Sequence, residues 1–214
     1  MPAESYQAEI TSETELRALY EQPVERVVKK QLTRLDRYCA QLIEMSPLMC
    51  LATTDADGAV DVSPRGDGPG FVRVVDDKTL MIPDRRGNNR LDSLANIVAN
   101  PQVGLLFMVP GINETVRVNG TAKIVADPTL RESFEFAGKT PTTVTVVTVR
   151  EAYFHCAKAF MRGKVWDPGS RVDRGVLPGL GRMISEQIAG NAISEGEAAE
   201  ADAVIAEGYR TRLY

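Results

Sequence analysis

The 214-residue sequence predicts a mainly β fold: an antiparallel barrel with helices added at the N-terminus, in the middle and at the C-terminus. Three observations predict it. Between Leu48 and Val149 the apolar residues mostly recur with a period of two. The strands so defined are joined by short Gly/Pro/Asp turns of hairpin composition. Helical spacing is confined to the two ends and one insertion. A doubly wound parallel sheet needs strands and helices in alternation, which this chain lacks.

Residues 1–14 read as a loose polar arm and 15–45 as N-terminal helices. Pro23 suits the first turn of a helix. Val28, Leu32, Leu35, Cys39 and Leu42, at spacings of four and three, predict one long amphipathic helix over Val24–Met45, stopped by Pro47. A barrel core over 48–153 follows. Leu48–Thr54 and Ala59–Ser63 form a hairpin across Asp55-Ala56-Asp57-Gly58. Pro64–Gly70 holds too many Gly and Pro for a central strand and reads as a bulge or loop. Phe71–Val75 and Thr79–Ile82 form a second hairpin.

Leu91, Leu94, Ala95 and Val98 then predict a short inserted helix with one apolar stripe. Asn88 or Asn89 is its expected cap, and Asn100-Pro101 its end. Gln102–Val109 and the alternating Thr115–Val125 are strands, and Asp127-Pro128 starts a short helix. Thr142–Val149, eight β-branched residues in a row, is the firmest strand. Residues 155–214 read as a basic segment, a loop and two helical pieces, all in a single domain with the barrel.

Composition narrows the function. Net charge is −4, with 43% apolar residues, so the chain reads as a globular protein and not as a nucleic-acid binder. Its three cysteines fit no zinc spacing, and a single histidine, His155, excludes a multi-histidine metal site. The polar N-terminus lacks the apolar core of a signal peptide, and no apolar run approaches membrane length. A cytoplasmic protein with free thiols and no membrane partner is expected. GxSxG, HExxH, the P-loop and GxGxxG are all absent. Cys156 follows His155 directly, which aims the two side chains at opposite faces of a strand and argues against a dyad. His155 reads as a satisfied structural histidine, Trp166 as an anchor of the C-terminal loop, and no catalytic side chain is assigned.

Four polar groups stand out: Ser63-Pro64-Arg65-Gly66-Asp67, the loop with Arg85, Asn88, Asn89 and Arg90, the Asn113–Arg117 stretch with Thr115 and Arg117, and the basic run with Lys158 and Arg162. Arginines and amides at a helix start suit phosphate, although a solvated capping turn has the same composition.

The order SPRGD, then PDRRGNNRLDSLANIVANPQVGLLF, then NETVRVNG, then a basic stretch with Trp166 resembles the pyridoxamine 5'-phosphate oxidase-like flavoproteins. The resemblance covers Leu48–Val125 well and Thr142–Trp166 more loosely. It implies an FMN-binding split β-barrel, a homodimer with FMN at the subunit interface, and an oxidoreductase that moves a hydride or electron pair to or from a small molecule. By the same resemblance Arg65 matches the family's second-strand arginine, Arg90 with Arg85, Asn88 and Asn89 the phosphate loop, and Thr115 the polar residue before R-V-x-G. Trp166 and Arg162 match its late Trp and Arg loosely. Arg117 or Lys158 would serve as the cation near the flavin ring. The family's Ser-Arg-Lys triplet and pyridoxal-site motif are missing, so its substrate does not carry over. Two alternatives stay open: a deazaflavin-dependent reductase on the same fold, and a flavin- or haem-binding store or sensor without turnover.

Overall fold

The computed structural model describes residues 9–214, so the expectation for residues 1–8 of the arm lies outside the described residues. Seven strands form one antiparallel sheet: β1 (Leu48–Thr54), β2 (Val60–Gly66), β3 (Arg73–Val74), β4 (Thr79–Pro83), β5 (Gln102–Met108), β6 (Thr115–Val125) and β7 (Val144–His155). Their order is β2-β1-β5-β6-β7-β4-β3. The mainly β fold with helical additions is therefore as the sequence predicts.

Alternation along the strands sorts residues onto two faces. On the inner face Met49, Leu51, Phe107, Leu105, Val116, Val118, Val147 and Leu80 form the core, each nearly or wholly removed from water. The outer face, where Val60, Val62, Leu48, Cys50, Leu106 and Met108 stand, stays partly open: Val60 is 70% and Val62 60% exposed. Opposite Asn119 and Gly120 the register shifts by one residue, leaving Arg150 of β7 unpaired as a bulge that bends β7. Gly120 is required there, because a Cβ would stand 2.1 Å from the Thr148 carbonyl oxygen.

The described residues form eight α-helices: α1 (Glu13–Ala18), α2 (Glu25–Lys29), α3 (Arg37–Met45), α4 (Asp92–Ala99), α5 (Pro128–Glu132), α6 (Lys158–Arg162), α7 (Leu180–Ala189) and α8 (Glu195–Thr211), of which α3 and α4 pack on the sheet and α7 packs on α8. The long helix expected over Val24–Met45 is corrected to two, α2 and α3. Between them Leu32 exchanges backbone hydrogen bonds with Ala152 of β7 (3.1 and 2.8 Å), and the Leu35 N–H donates to the Asp77 carbonyl (2.8 Å). Backbone groups committed to strands cannot also close helical turns. Asp36 then caps α3, accepting from the N–H groups of Tyr38 and Cys39.

Two smaller corrections concern the edges. Pro64 lies inside β2 and not in a loop, because β2 is an edge strand and a missing N–H there breaks no ladder. The strand expected over Phe71–Val75 shortens to β3, while Phe71 and Val72 turn into the core. Among the described residues no helix is long and apolar enough to cross a membrane.

Candidate functional site

The inserted helix α4 docks the opposite way from the sequence expectation. Leu91 and Val98 of the predicted apolar stripe are 55% and 78% exposed, whereas Ser93 and Ile97 are buried. The reason lies in the strands beneath. Ser93 Oγ lies 3.0 Å from Ser63 Oγ and donates to the Asp61 carboxylate (3.2 Å), and Asn96 Nδ2 donates to Thr53 Oγ1 (3.1 Å). Buried Thr53 and half-buried Asp61 and Ser63 need polar partners, and they select the polar face of α4. Asn100 adds a bond to Thr54 Oγ1 (2.9 Å).

This docking fixes the preceding loop. Neither asparagine caps α4 by its side chain. Leu91 occupies the cap position with φ +62, Asn89 has φ +60, and Asn88 Oδ1 accepts from the Arg90 N–H (3.0 Å). Asn89 is a residue type that tolerates the left-handed region; Leu91 is not, and it holds that conformation because α4 is anchored behind it.

Loop, β2 and the β7 approach enclose a cleft of about 630 Å³. Its floor includes Asp61, Ser63 and Arg65, its wall runs from Asp84 to Leu94, and its far rim is Lys139–Thr142 with Tyr214. Arg65, Arg85, Asn88, Asn89 and Arg90, all expected from the sequence, thus meet in one place. Their electrostatics differ. Arg85 is the most engaged: Nε donates to Asp67 (2.7 Å) and a terminal nitrogen to the Phe134 carbonyl (2.8 Å). Arg90 pairs with Asp92 (2.8 Å) at the open surface. Arg65 stands 3.5 Å from Asp84, and its buried Nε has no hydrogen-bond partner among the described residues. Burial raises the Asp84 carboxyl above its usual range, an effect that Arg65 offsets only in part.

Arg86 and Lys139 also line the cleft, and neither belongs to an ion pair among the described residues. Lys139, Thr140 and Tyr214 carry no sequence signal, since only the chain's path brings them to the loop. Ser63 and Ser93 sit in stretches the sequence singles out, but a serine pair across a strand and a helix shows no spacing.

The other candidates do not reach the cleft. Thr115 and Arg117 sit on β6, opposite His155 and Tyr153 of β7. Arg117 shares its cross-strand row with Leu106, Cys50 and Pro64, on the outer face; Arg65 shares its row with Met49, Phe107 and Val116, on the inner face. Lys158 and Arg162 lie on α6, exposed and outside the cleft lining. His155 is corrected from a satisfied structural residue to an exposed one at the end of β7. Trp166 is an anchor as expected, its Nε1 donating to the Ile112 carbonyl (2.8 Å).

Comparison with known proteins gives the following. No curated protein matches the sequence. Among solved structures, Group A Streptococcus HupZ is 22% identical at TM-score 0.47, over 56% of this chain and 93% of that one. A candidate pyridoxamine 5'-phosphate oxidase of Lactobacillus delbrueckii is 26% identical at TM-score 0.45, over 58% and 98%. An FMN-binding protein of Syntrophomonas wolfei is 12% identical at TM-score 0.44, over 56% and 88%. The model of the pyridoxamine 5'-phosphate oxidase family matches residues 35–156, more than half of the chain and all seven strands. The chain belongs to the pyridoxamine 5'-phosphate oxidase family.

Proposed function

We propose that the protein is an FMN-dependent oxidoreductase acting on a small molecule, with the FMN phosphate in the cleft between β2, the Asp84–Leu91 loop and Lys139. One observation carries the reading: a buried guanidinium nitrogen of Arg65 without a hydrogen-bond partner among the described residues, in a cleft where Arg86 and Lys139 belong to no ion pair among those residues. A buried unpaired donor costs about 1–3 kcal/mol, and a phosphate oxygen is the acceptor that relieves it. Ser63, Asn88 and Asn89 supply further donors. Asp61, Asp84 and Asp92 line the same cleft, and burial raises the Asp84 carboxyl above its usual range.

When bound, FMN would supply reversible transfer of a hydride or electron pair. The chain's own part is binding, orientation and exclusion of water. The uncovered outer face of β2 and β1, with Val60 and Val62, and the exposed stripe of α4 support a homodimer. A second copy would bring its Arg117 toward the flavin, which the place of Arg117 on the outer face otherwise prevents; Thr115, 3% exposed, stays covered within its own subunit. The decisive experiment is titration of the purified chain with FMN, followed by fluorescence quenching and the visible spectrum. Saturable binding of one FMN per chain supports the reading. A protein that ignores FMN but binds the deazaflavin carrier replaces the cofactor, and one that binds neither overturns the reading.

A further inference from the structure

Away from the cleft, three basic side chains gather around one tyrosine. A terminal nitrogen of Arg117 donates to the Tyr153 hydroxyl (2.8 Å), with the guanidinium carbon 5.6 Å from the centre of that ring. Lys30, at the end of α2, places Nζ 5.5 Å from the same centre and donates to the Phe154 carbonyl (2.7 Å). The His155 ring lies 6.4 Å from Tyr153. None of the three belongs to an ion pair among the described residues, whereas Arg65, Arg85 and Arg90 of the cleft each have an aspartate. Glu151, two residues before Tyr153 on β7, is taken by the side chains of Asn119 and Gln31.

Like charges crowded without a counter-ion repel one another, and an arriving anion removes that repulsion. We propose that Lys30, Arg117, Tyr153 and His155 form a binding site for an oxyanion, a phosphate or carboxylate group carried by the small molecule on which the protein acts. The last clause rests on the oxidoreductase reading; the anion site itself does not. Arg117 spends a single donor within the protein, so the rest of its planar fork is available to two oxygens of one group. Lys30 adds a mobile point charge. Partial desolvation of the ring first, then Arg117 and Lys30, hold the His155 imidazole below its ordinary value. An anion beside it reverses the second influence, so binding is accompanied by proton uptake at His155.

His155 is the single histidine of the chain, so its imidazole proton resonance reports on the site without ambiguity. The test is an NMR pH titration of the full chain at constant ionic strength, in chloride alone and then with inorganic phosphate or acetate. A saturable rise of about one pH unit in the His155 midpoint is expected with at least one of the two. Whichever acts names the oxyanion class. Lys30→Met and Arg117→Met should each raise the half-saturating concentration about tenfold or more. No rise beyond the chloride control, or a rise indifferent to both substitutions, overturns the site. Lys30 is exposed, so Lys30→Met keeps the test sound should Arg117→Met not fold. FMN binding is measured on the same sample. Bound FMN with a silent His155 removes the anion site alone, and a responsive His155 without FMN binding removes the oxidoreductase reading alone.

Discussion

Replacing Asp67 by asparagine removes one charge from the ionic contact that props the cleft from behind. The Asp67 side chain is 3% exposed and that of Arg85 18%, with 2.7 Å between them. One carboxylate oxygen takes the Arg85 Nε–H; the other takes the Gly68 N–H (2.7 Å) and the Tyr214 hydroxyl (2.9 Å). An asparagine can keep its oxygen toward Gly68 and Tyr214 only by turning its NH2 onto Arg85, donor against donor. Removing one partner of a buried pair costs about 3–5 kcal/mol. Because Arg85 keeps the Phe134 carbonyl and some access to water, Asp67→Asn should sit at the low end, about 3 kcal/mol. For a chain of this length that lowers Tm by about 6–12 °C.

Urea and thermal unfolding followed by circular dichroism measure it. Asp67→Asn/Arg85→Met should recover much of the loss, since neither charge is then left alone. The pH dependence has a definite sign. Burial pushes the Asp67 carboxyl up, yet the Gly68 N–H, Arg85 and Tyr214 outweigh it and hold the group below its usual 3.8. A group depressed in the folded state stabilises fully above its unfolded value and less as pH falls through its folded one. The gap between wild type and Asp67→Asn should therefore be constant down to about pH 5 and close in stronger acid. A loss under about 1 kcal/mol, or a double variant as weak as the sum of the singles, refutes the reasoning.

Three further outcomes are expected. Arg65→Met should weaken FMN binding about 10- to 100-fold, whereas Arg90→Ala, whose guanidinium is solvated and held by Asp92, should weaken it several-fold less; equal effects in a fluorescence titration would contradict the assignment. Gly120→Ala should prevent stable folding, since its Cβ meets backbone that cannot retreat; a soluble variant with unchanged Tm would refute this. Toward a thiol reagent at neutral pH, exposed Cys156 should react first and half-buried Cys50 slowly. Cys39, buried and with its thiol pushed up to about 12, should react only on unfolding; prompt labelling of all three would contradict the packing.

Legibility in the sequence followed the source of each signal. β6 was readable because burial on one face imposes a period of two, β1 and β5 because apolar runs of strand length stand between turn residues, and β7 because a run of β-branched residues suits little else. The break between α2 and α3 was not, because the spacing from Val28 to Leu42 is helical throughout and the bonds of Leu32 to Ala152 and of Leu35 to Asp77 interrupt it from outside. The orientation of α4 failed for a related reason: its apolar stripe is real but faces outward, and the buried side is chosen by Asp61, Ser63 and Thr53 on other strands. In the cleft, the arginine loop was legible from its local composition. Lys139 and Tyr214 were not, since no local pattern marks a residue delivered by tertiary path. Nor was the pairing of Arg65, Arg85 and Arg90 with aspartates, which makes the neighbouring Arg86 the freer cation.

The anchoring of α4 bears on how quickly a ligand is taken up. The Asp84–Leu91 loop is fastened at one end by the Asp84 N–H on the Thr143 carbonyl (2.9 Å) and by Arg85. At the other end it is fastened by the bonds of Ser93, Asn96 and Asn100 to β1 and β2. A loop already held in its binding shape surrenders little freedom when a ligand arrives. Association should then be a single second-order step, linear in ligand concentration, without the plateau that a slow rearrangement imposes. Affinity differences among variants of the cleft would consequently appear in the rate of release.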